Sequence, residues 1–128
     1  KDVVSPPKTS KSKRVITIPE FLATDIKDYM DSLYDLQEND RLFPITKYYL
    51  EHEMQREIKE SGVKRIRVHD LRHSHASMLI ELGFSPLEIA NRLGHEKVET
   101  TLNTYAHLYP NKQTKLVERL DSEYREDL

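Results

Sequence analysis

From Pro19 onward the apolar positions return every three or four residues: Leu22, Ile26, Tyr29, Met30 and Leu33 share one side of a helix whose first turns are acidic. The spacing predicts an amphipathic helix there. Gln37 to Pro44 is a polar linker, and Thr46 stands where its hydroxyl can cap a second helix with Tyr49, Leu50, Met54 and Ile58 inward and Ser61-Gly62 as its stop. Lys64 to Val68 reads as a short, basic, extended lead-in to a third helix. That helix is predicted from about Asp70 to Leu82, with Leu71, Met78, Leu79 and Leu82 on one face and Gly83 as a left-handed stop. Ser85-Pro86-Leu87-Glu88 combines an N-cap serine, a proline at the first helical position and a glutamate two residues later, which is a capping box, and this fourth helix ends at Gly94. A fifth helix is expected to hold Val98, Leu102, Tyr105 and Ala106, and a last one Leu116, Val117 and Leu120.

Residues 1–19 carry a different pattern. Pro6-Pro7 breaks regular structure, a polar Lys-Thr-Ser-Lys-Ser-Lys-Arg turn follows, and Val15-Ile16-Thr17-Ile18 has the β-branched character of a strand. So short a strand needs a partner, either Asp2-Val3-Val4 across the turn or a segment upstream of Lys1. The fold class expected is therefore mainly α with a small β-hairpin or sheet.

Length fits this picture: 128 residues suffice for one modest domain. There is no cysteine, so neither a disulfide framework nor a cysteine-rich zinc site is available. No apolar run is long enough for a membrane span and these residues contain no charged n-region followed by an apolar h-region, so a soluble intracellular protein is expected. The chain opens on Lys1 inside a basic, turn-like segment and reads as part of a longer protein. The net charge of -2 conceals a block structure. Residues 1–14 carry five basic groups against one acidic, residues 15–62 five against eleven, residues 63–115 eight against five, and residues 116–128 two against five. Two basic blocks flanking an acidic one are suited to converge on a polyanion, although a mixed-charge surface gives the same total.

The chemistry concentrates in the second basic block. His69-Asp70-Leu71-Arg72-His73 places two imidazoles and a guanidinium on the first turn of a helix, where backbone N–H groups already favour an anion. Arg72 offers a bidentate fork to phosphate oxygens, and His69 lies three residues away on the same surface. The alternatives are that His73 and His75 simply pack in the helix while Arg72 pairs with an acid, or that His69 and His73 ligate zinc. The zinc reading suffers from Asp70 standing where metalloproteases have glutamate and from the cationic Arg72 in the same place. In Leu93-Gly94-His95 the imidazole sits on an exposed turn after a helix stop, and Tyr105 falls on the following helix, where a half-buried core aromatic would look the same. Ser85 to Leu102 also reads as a helix-turn-helix with Gly94 in the turn and the residues after Lys97 in a recognition helix, which makes a non-catalytic DNA-binding module the alternative function.

Taken together, His-x-x-Arg at 69–72, Leu-Gly-His at 93–95 and Tyr105 within Thr-Thr-Leu-Asn-Thr-Tyr-Ala-His resemble the catalytic domain of the tyrosine recombinase, or phage-type integrase, family. The resemblance covers nearly the whole chain and is strongest over residues 63–110. Pro7-Lys8-Thr9 followed by Lys13-Arg14-Val15-Ile16-Thr17-Ile18-Pro19 resembles the β-hairpin that delivers the family's catalytic lysine. This points to Lys8, with Lys11 and Lys13 as alternatives. The resemblance implies site-specific DNA recombination, the integration or excision of a phage or mobile element, through a 3′-phosphotyrosine intermediate. Tyr105 is then the nucleophile, His69 the base, Arg72 and His95 stabilise charge on the phosphate, and Lys8 is the general acid. No metal and no other cofactor is implied. A further arginine of the family's set belongs on a helix before the hairpin and has no counterpart here, so residues 1–128 alone are expected to cleave weakly or not at all. Lys64, Arg65, Arg67 and Lys97 are expected to bind backbone phosphates of double-stranded DNA. The expected layout is a single catalytic domain with a hairpin remnant at 1–19, a helical core at 20–110 bearing the site and a tail helix at 111–128, preceded by DNA-binding domains. The tail is expected to assemble a homo-oligomer, a tetramer on DNA, by docking on a neighbouring protomer, or else to fold back on its own domain. The expected location is the cytoplasm of a bacterial host, at the nucleoid and not at a membrane.

Overall fold

The computed structural model describes residues 5–109 and 113–127. Six helices follow in order: α1 (Glu20–Ser32), α2 (Lys47–Ser61), α3 (Asp70–Glu81), α4 (Pro86–Leu93), α5 (Val98–Tyr105) and α6 (Gln113–Glu126), with 3-10 turns at Ser10–Ser12 and Ala106–Leu108. The chain divides into two compact units, residues 13–73 and residues 1–12 with 74–128. Among the described residues no helix is long and apolar enough to cross a membrane.

The expected small β element is not there. Among the described residues there is no strand, so the fold is all α and the hairpin over residues 1–19 is corrected. Two neighbouring strands hold together only if a ladder forms and an apolar face is covered. Val15 is 98% exposed and Ile16 and Ile18 are exposed as well, so nothing covers that face. The partner suggested by the sequence, Asp2-Val3-Val4, lies outside the described residues. The polar turn has gone to local bonding instead: the Ser12 N–H reaches the Thr9 carbonyl at 3.2 Å and the Thr9 and Ser12 hydroxyls pair at 2.6 Å.

In the unit of residues 13–73, α1 forms where the heptad-like apolar row predicts it. Its Tyr29 hydroxyl donates to the Leu42 carbonyl at 2.8 Å and its ring stacks on Phe43 with centroids 5.1 Å apart. The polar linker is thereby held against the helix that precedes it. Thr46 caps α2 as expected, its hydroxyl accepting the Tyr49 N–H at 3.1 Å, and Gly62 ends the helix in the left-handed region at φ 72°. Gln55 on α2 donates to the Ile66 carbonyl at 3.2 Å, which fixes the lead-in to α3.

The buried core among the described residues belongs to the other unit. Ala76 and Ile80 of α3, Ile89 and Leu93 of α4 and Tyr105 of α5 form one cluster, with Leu79 and Tyr109 packed against it. The inner face of α3 is thus not the one expected: Leu71, Met78 and Leu82 are exposed and only Leu79 of that set joins the core. Residues 76 and 80 lie one turn apart, and the smaller Ala76 lets another element approach closely, which outweighs the size of the neighbouring apolar side chains. Helix α4 is built as its sequence dictates. Ser85 accepts the Glu88 N–H at 3.3 Å, Glu88 accepts the Ser85 N–H at 2.8 Å, and Gly94 closes the helix at φ 77°.

Candidate active site

Residues 64–73 wind into α3 through consecutive tight turns, with the N–H groups of Asp70, Leu71 and Arg72 reaching the carbonyls of Arg67, Val68 and His69 at 3.0 to 3.1 Å. Asp70 locks this entry. Its carboxylate accepts the Arg67 backbone N–H at 2.8 Å and the Arg67 guanidinium at 3.2 Å. These hydrogen bonds from Arg67 hold the Asp70 carboxyl below the usual carboxylate range. The anion-binding turn of the sequence reading is therefore already partly neutralised by its own aspartate, and Arg67 is committed to that aspartate.

His69 is exposed, Arg72 half-buried, and the His69 and His73 rings meet edge to face with centroids 5.2 Å apart. His69 lines a cleft of about 610 Å³ together with Lys47, Glu51, Gln55, Arg65, Arg67 and Val68. Arg65 and Arg67, expected together as phosphate contacts, share this cleft with His69, whereas Lys64 is not part of its wall. Lys47 is an addition. It is the first residue of α2, paired with Glu51 at 3.6 Å, and only the packing of α2 beside the lead-in reveals it.

Lys8, His95 and Tyr105 belong to the other unit. The left-handed Gly94 turns the chain so that the His95 N–H also reaches the Ala90 carbonyl, at 2.9 Å, which anchors the residue to the end of α4. The imidazole is fixed at its other end: Nδ1 lies 2.6 Å from the hydroxyl oxygen of Thr101. Thr101 is fully buried, and Tyr105, one turn further along the same face of α5, is 4% exposed within the core cluster. Lys8 is exposed, two residues before Ser10, whose hydroxyl donates to Glu96, next to His95, at 3.4 Å. Lys97 is exposed at the N-cap of α5 and makes no cap bond with its side chain. Thr101 was not singled out by the sequence reading. Its position four residues before the tyrosine was the available signal.

His75 and Arg92 form a further pair. The Arg92 Nε–H donates to Nε2 of His75 at 2.9 Å, joining α3 to α4. Burial first, and the neighbouring Arg92 charge second, push the His75 imidazole below its ordinary pKa. Among the described residues no group of three or more His, Cys, Asp or Glu side chains is placed to hold a metal ion.

Comparison with known proteins gives these residues a context. The chain is 33% identical to the ICEBs1 integrase of Bacillus subtilis over 93% of its own length and 36% of that protein's. It is 33% identical to the tyrosine recombinase XerA of Thermococcus kodakarensis over 86% of its length and 43% of the relative's. It is 41% identical to transposase A of transposon Tn554 from Staphylococcus aureus over 52% of its length and 19% of the relative's. The chain therefore spans less than half the length of each of these proteins. No solved structure matches it. The model of the phage integrase family matches residues 3–112, a stretch that holds Lys8, His69, Arg72, His95 and Tyr105. With most of its length matched in this way, the chain belongs to the phage integrase family.

Proposed function

We propose that this chain is the catalytic part of a tyrosine recombinase that integrates or excises a phage or mobile element by breaking and rejoining DNA strands. The observation that carries the reading is the family match across every residue with an assigned chemical role. The relatives' names, an integrase, a tyrosine recombinase and a transposase, support the same class of reaction.

In the proposed reaction the Tyr105 phenol loses its proton to His69 and attacks the scissile phosphorus. The bond to the 5′-oxygen breaks, a 3′-phosphotyrosine forms, and the leaving oxygen takes its proton from Lys8. The reverse attack by a 5′-hydroxyl reseals a strand, so the bond energy is conserved. A phenol with an ordinary pKa near 10 needs such a base and a cationic environment. Arg72 and His95 supply charge and hydrogen bonds to the non-bridging oxygens as negative charge builds. Because Tyr105 is buried in the structure, it has to leave its core cluster to reach a phosphate. Its place at the junction of the short helix α5 and the following 3-10 turn suits it to do so.

Arg65, Arg67, Lys64 and Lys97, with Lys47 added, are the proposed contacts to phosphates of double-stranded DNA. The apolar residues Leu116, Val117, Leu120 and Tyr124 of α6 are all exposed, which supports docking of the tail on another protomer in a tetramer on DNA. The proposed location is the nucleoid of a bacterial host.

The test is a nicked suicide substrate offered to the full-length protein. A covalent protein–DNA adduct that disappears in Tyr105→Phe is expected, and an adduct that survives this substitution overturns the assignment of the nucleophile.

A further inference from the structure

Lys47, Glu51 and Gln55 recur every fourth residue along α2, so they form a row on one side of the helix, and all three line the cleft that also holds Arg65, Arg67 and His69. The row is chemically mixed. Lys47 and Arg65 are exposed cations of the kind that bind backbone phosphates, whereas Glu51 is an exposed carboxylate that repels them.

The neighbouring cation does not account for that carboxylate. Lys47 Nζ lies 3.6 Å from Glu51 Oε1 with the two side chains 84% and 49% exposed, so the pair contributes little to stability and leaves Lys47 able to turn to a phosphate. The frame around Glu51 is firmer. Gln55 donates to the Ile66 carbonyl at 3.2 Å, which ties the lead-in bearing Arg65 and Arg67 to the helix that carries the carboxylate.

A carboxylate only accepts. Phosphates of duplex DNA offer it no donor, but the major groove, which admits a helix, presents the exocyclic amines of cytosine and adenine, while guanine and thymine offer no donor there. We infer that Glu51 is a specificity-determining residue: it accepts a hydrogen bond from the exocyclic amine of a cytosine or adenine in the major groove and rejects guanine and thymine at that place on the strand. This rests on the proposed DNA reaction and deepens it by naming a base contact. Lys47 and Arg65 hold the strand by its phosphates, and Glu51 reads the base edge beside them. A keto base is penalised twice, because the carboxylate loses its donor and meets a second oxygen lone pair. His69, assigned to the scissile phosphate, lines the same cleft, so the base that is read lies within a few base pairs of the cleavage point.

The experiment sequences the duplexes that the full-length protein retains from a randomised library, with the cleavage point mapped on the suicide substrate, and compares the parent with Glu51→Ala, Glu51→Gln and Lys47→Ala. The parent should prefer cytosine or adenine at one position near that point by roughly fivefold to a hundredfold over guanine and thymine, and the retained base tells the two amines apart. Glu51→Ala should lose this preference, keep those at other positions and, with a negative charge gone, bind unrelated duplexes at least as tightly as the parent. Glu51→Gln, whose amide donates as well as accepts, should admit guanine or thymine at the same position. Lys47→Ala should weaken all sequences alike, as a phosphate contact does. An unchanged preference in Glu51→Ala, a loss spread over every position, or a parent with no preference for an amine-bearing base near the cleavage point overturns the inference. If instead the adduct survives Tyr105→Phe, the proposed reaction fails, while the retained sequences still decide what Glu51 reads.

Discussion

Arg92 donates its Nε–H to Nε2 of His75 at 2.9 Å, so the imidazole serves as an acceptor and is neutral in the folded protein. Protonation would remove the lone pair and set two cations against each other. The folded-state pKa is accordingly lowered, by burial and then by Arg92, below the ordinary value of 6.5. From about pH 6.5 downward the unfolded chain takes up a proton that the folded chain resists. Stability should fall as the pH drops through that window and be insensitive to this group above it. Urea midpoints at pH 7, 6 and 5 for the parent and His75→Gln check this. An identical loss in both proteins would remove His75 as the cause.

Helix α4 depends on its reciprocal cap. Ser85→Ala removes the acceptor for the Glu88 N–H and should cost about 1 kcal/mol of unfolding free energy. The Glu88 carboxyl is held below its usual range chiefly by the Ser85 backbone N–H. A lowered acid adds stability above its unfolded pKa and loses it as the pH falls, so Glu88→Gln should weaken the protein at pH 7 and matter less in acid. Thermal unfolding at the two pH values distinguishes the cases.

The core cluster offers two opposite outcomes. Ile89 is fully buried, so Ile89→Ala should cost about 2–5 kcal/mol through lost burial and the cavity left behind. Tyr109 packs on the same cluster, yet its buried hydroxyl has no hydrogen-bond partner among the described residues, and burial raises its pKa. Tyr109→Phe should therefore leave stability unchanged or raise it by about 1 kcal/mol. Denaturant titration of both variants is the check, and a marked loss in Tyr109→Phe would reveal a partner for the hydroxyl.

Arg65 lines the cleft beside His69, and Arg67 in the same cleft is tied to Asp70. If the cleft receives backbone phosphates, Arg65→Ala should weaken binding of unrelated duplexes to a similar extent. It should also lower the salt dependence of affinity by about one unit of slope. Arg67→Ala should do less to binding, because its charge is already partly spent on the aspartate. Fluorescence anisotropy across a salt series measures both, and an unchanged slope in Arg65→Ala would exclude it as a phosphate contact.

Local chemistry made much of this protein legible without its structure. The caps at Thr46 and Ser85 and the left-handed glycines at 62, 83 and 94 fall where expected, because a capping hydroxyl or a positive φ is settled within a few residues of chain. The chemical candidates His69, Arg72, His95 and Tyr105 were named from residue types in an ordered spacing alone. The tertiary structure decided what depends on distant partners. A ladder for Val15 to Ile18 needs a second strand and a covered face, and neither is found among the described residues. The inward face of α3 is set by what packs on Ala76 and Ile80, so ranking apolar side chains by size named the wrong row. Helical periodicity places a side chain on a face, but only packing fixes which atom it meets. That is why the sequence named His95 and the fold supplied Thr101.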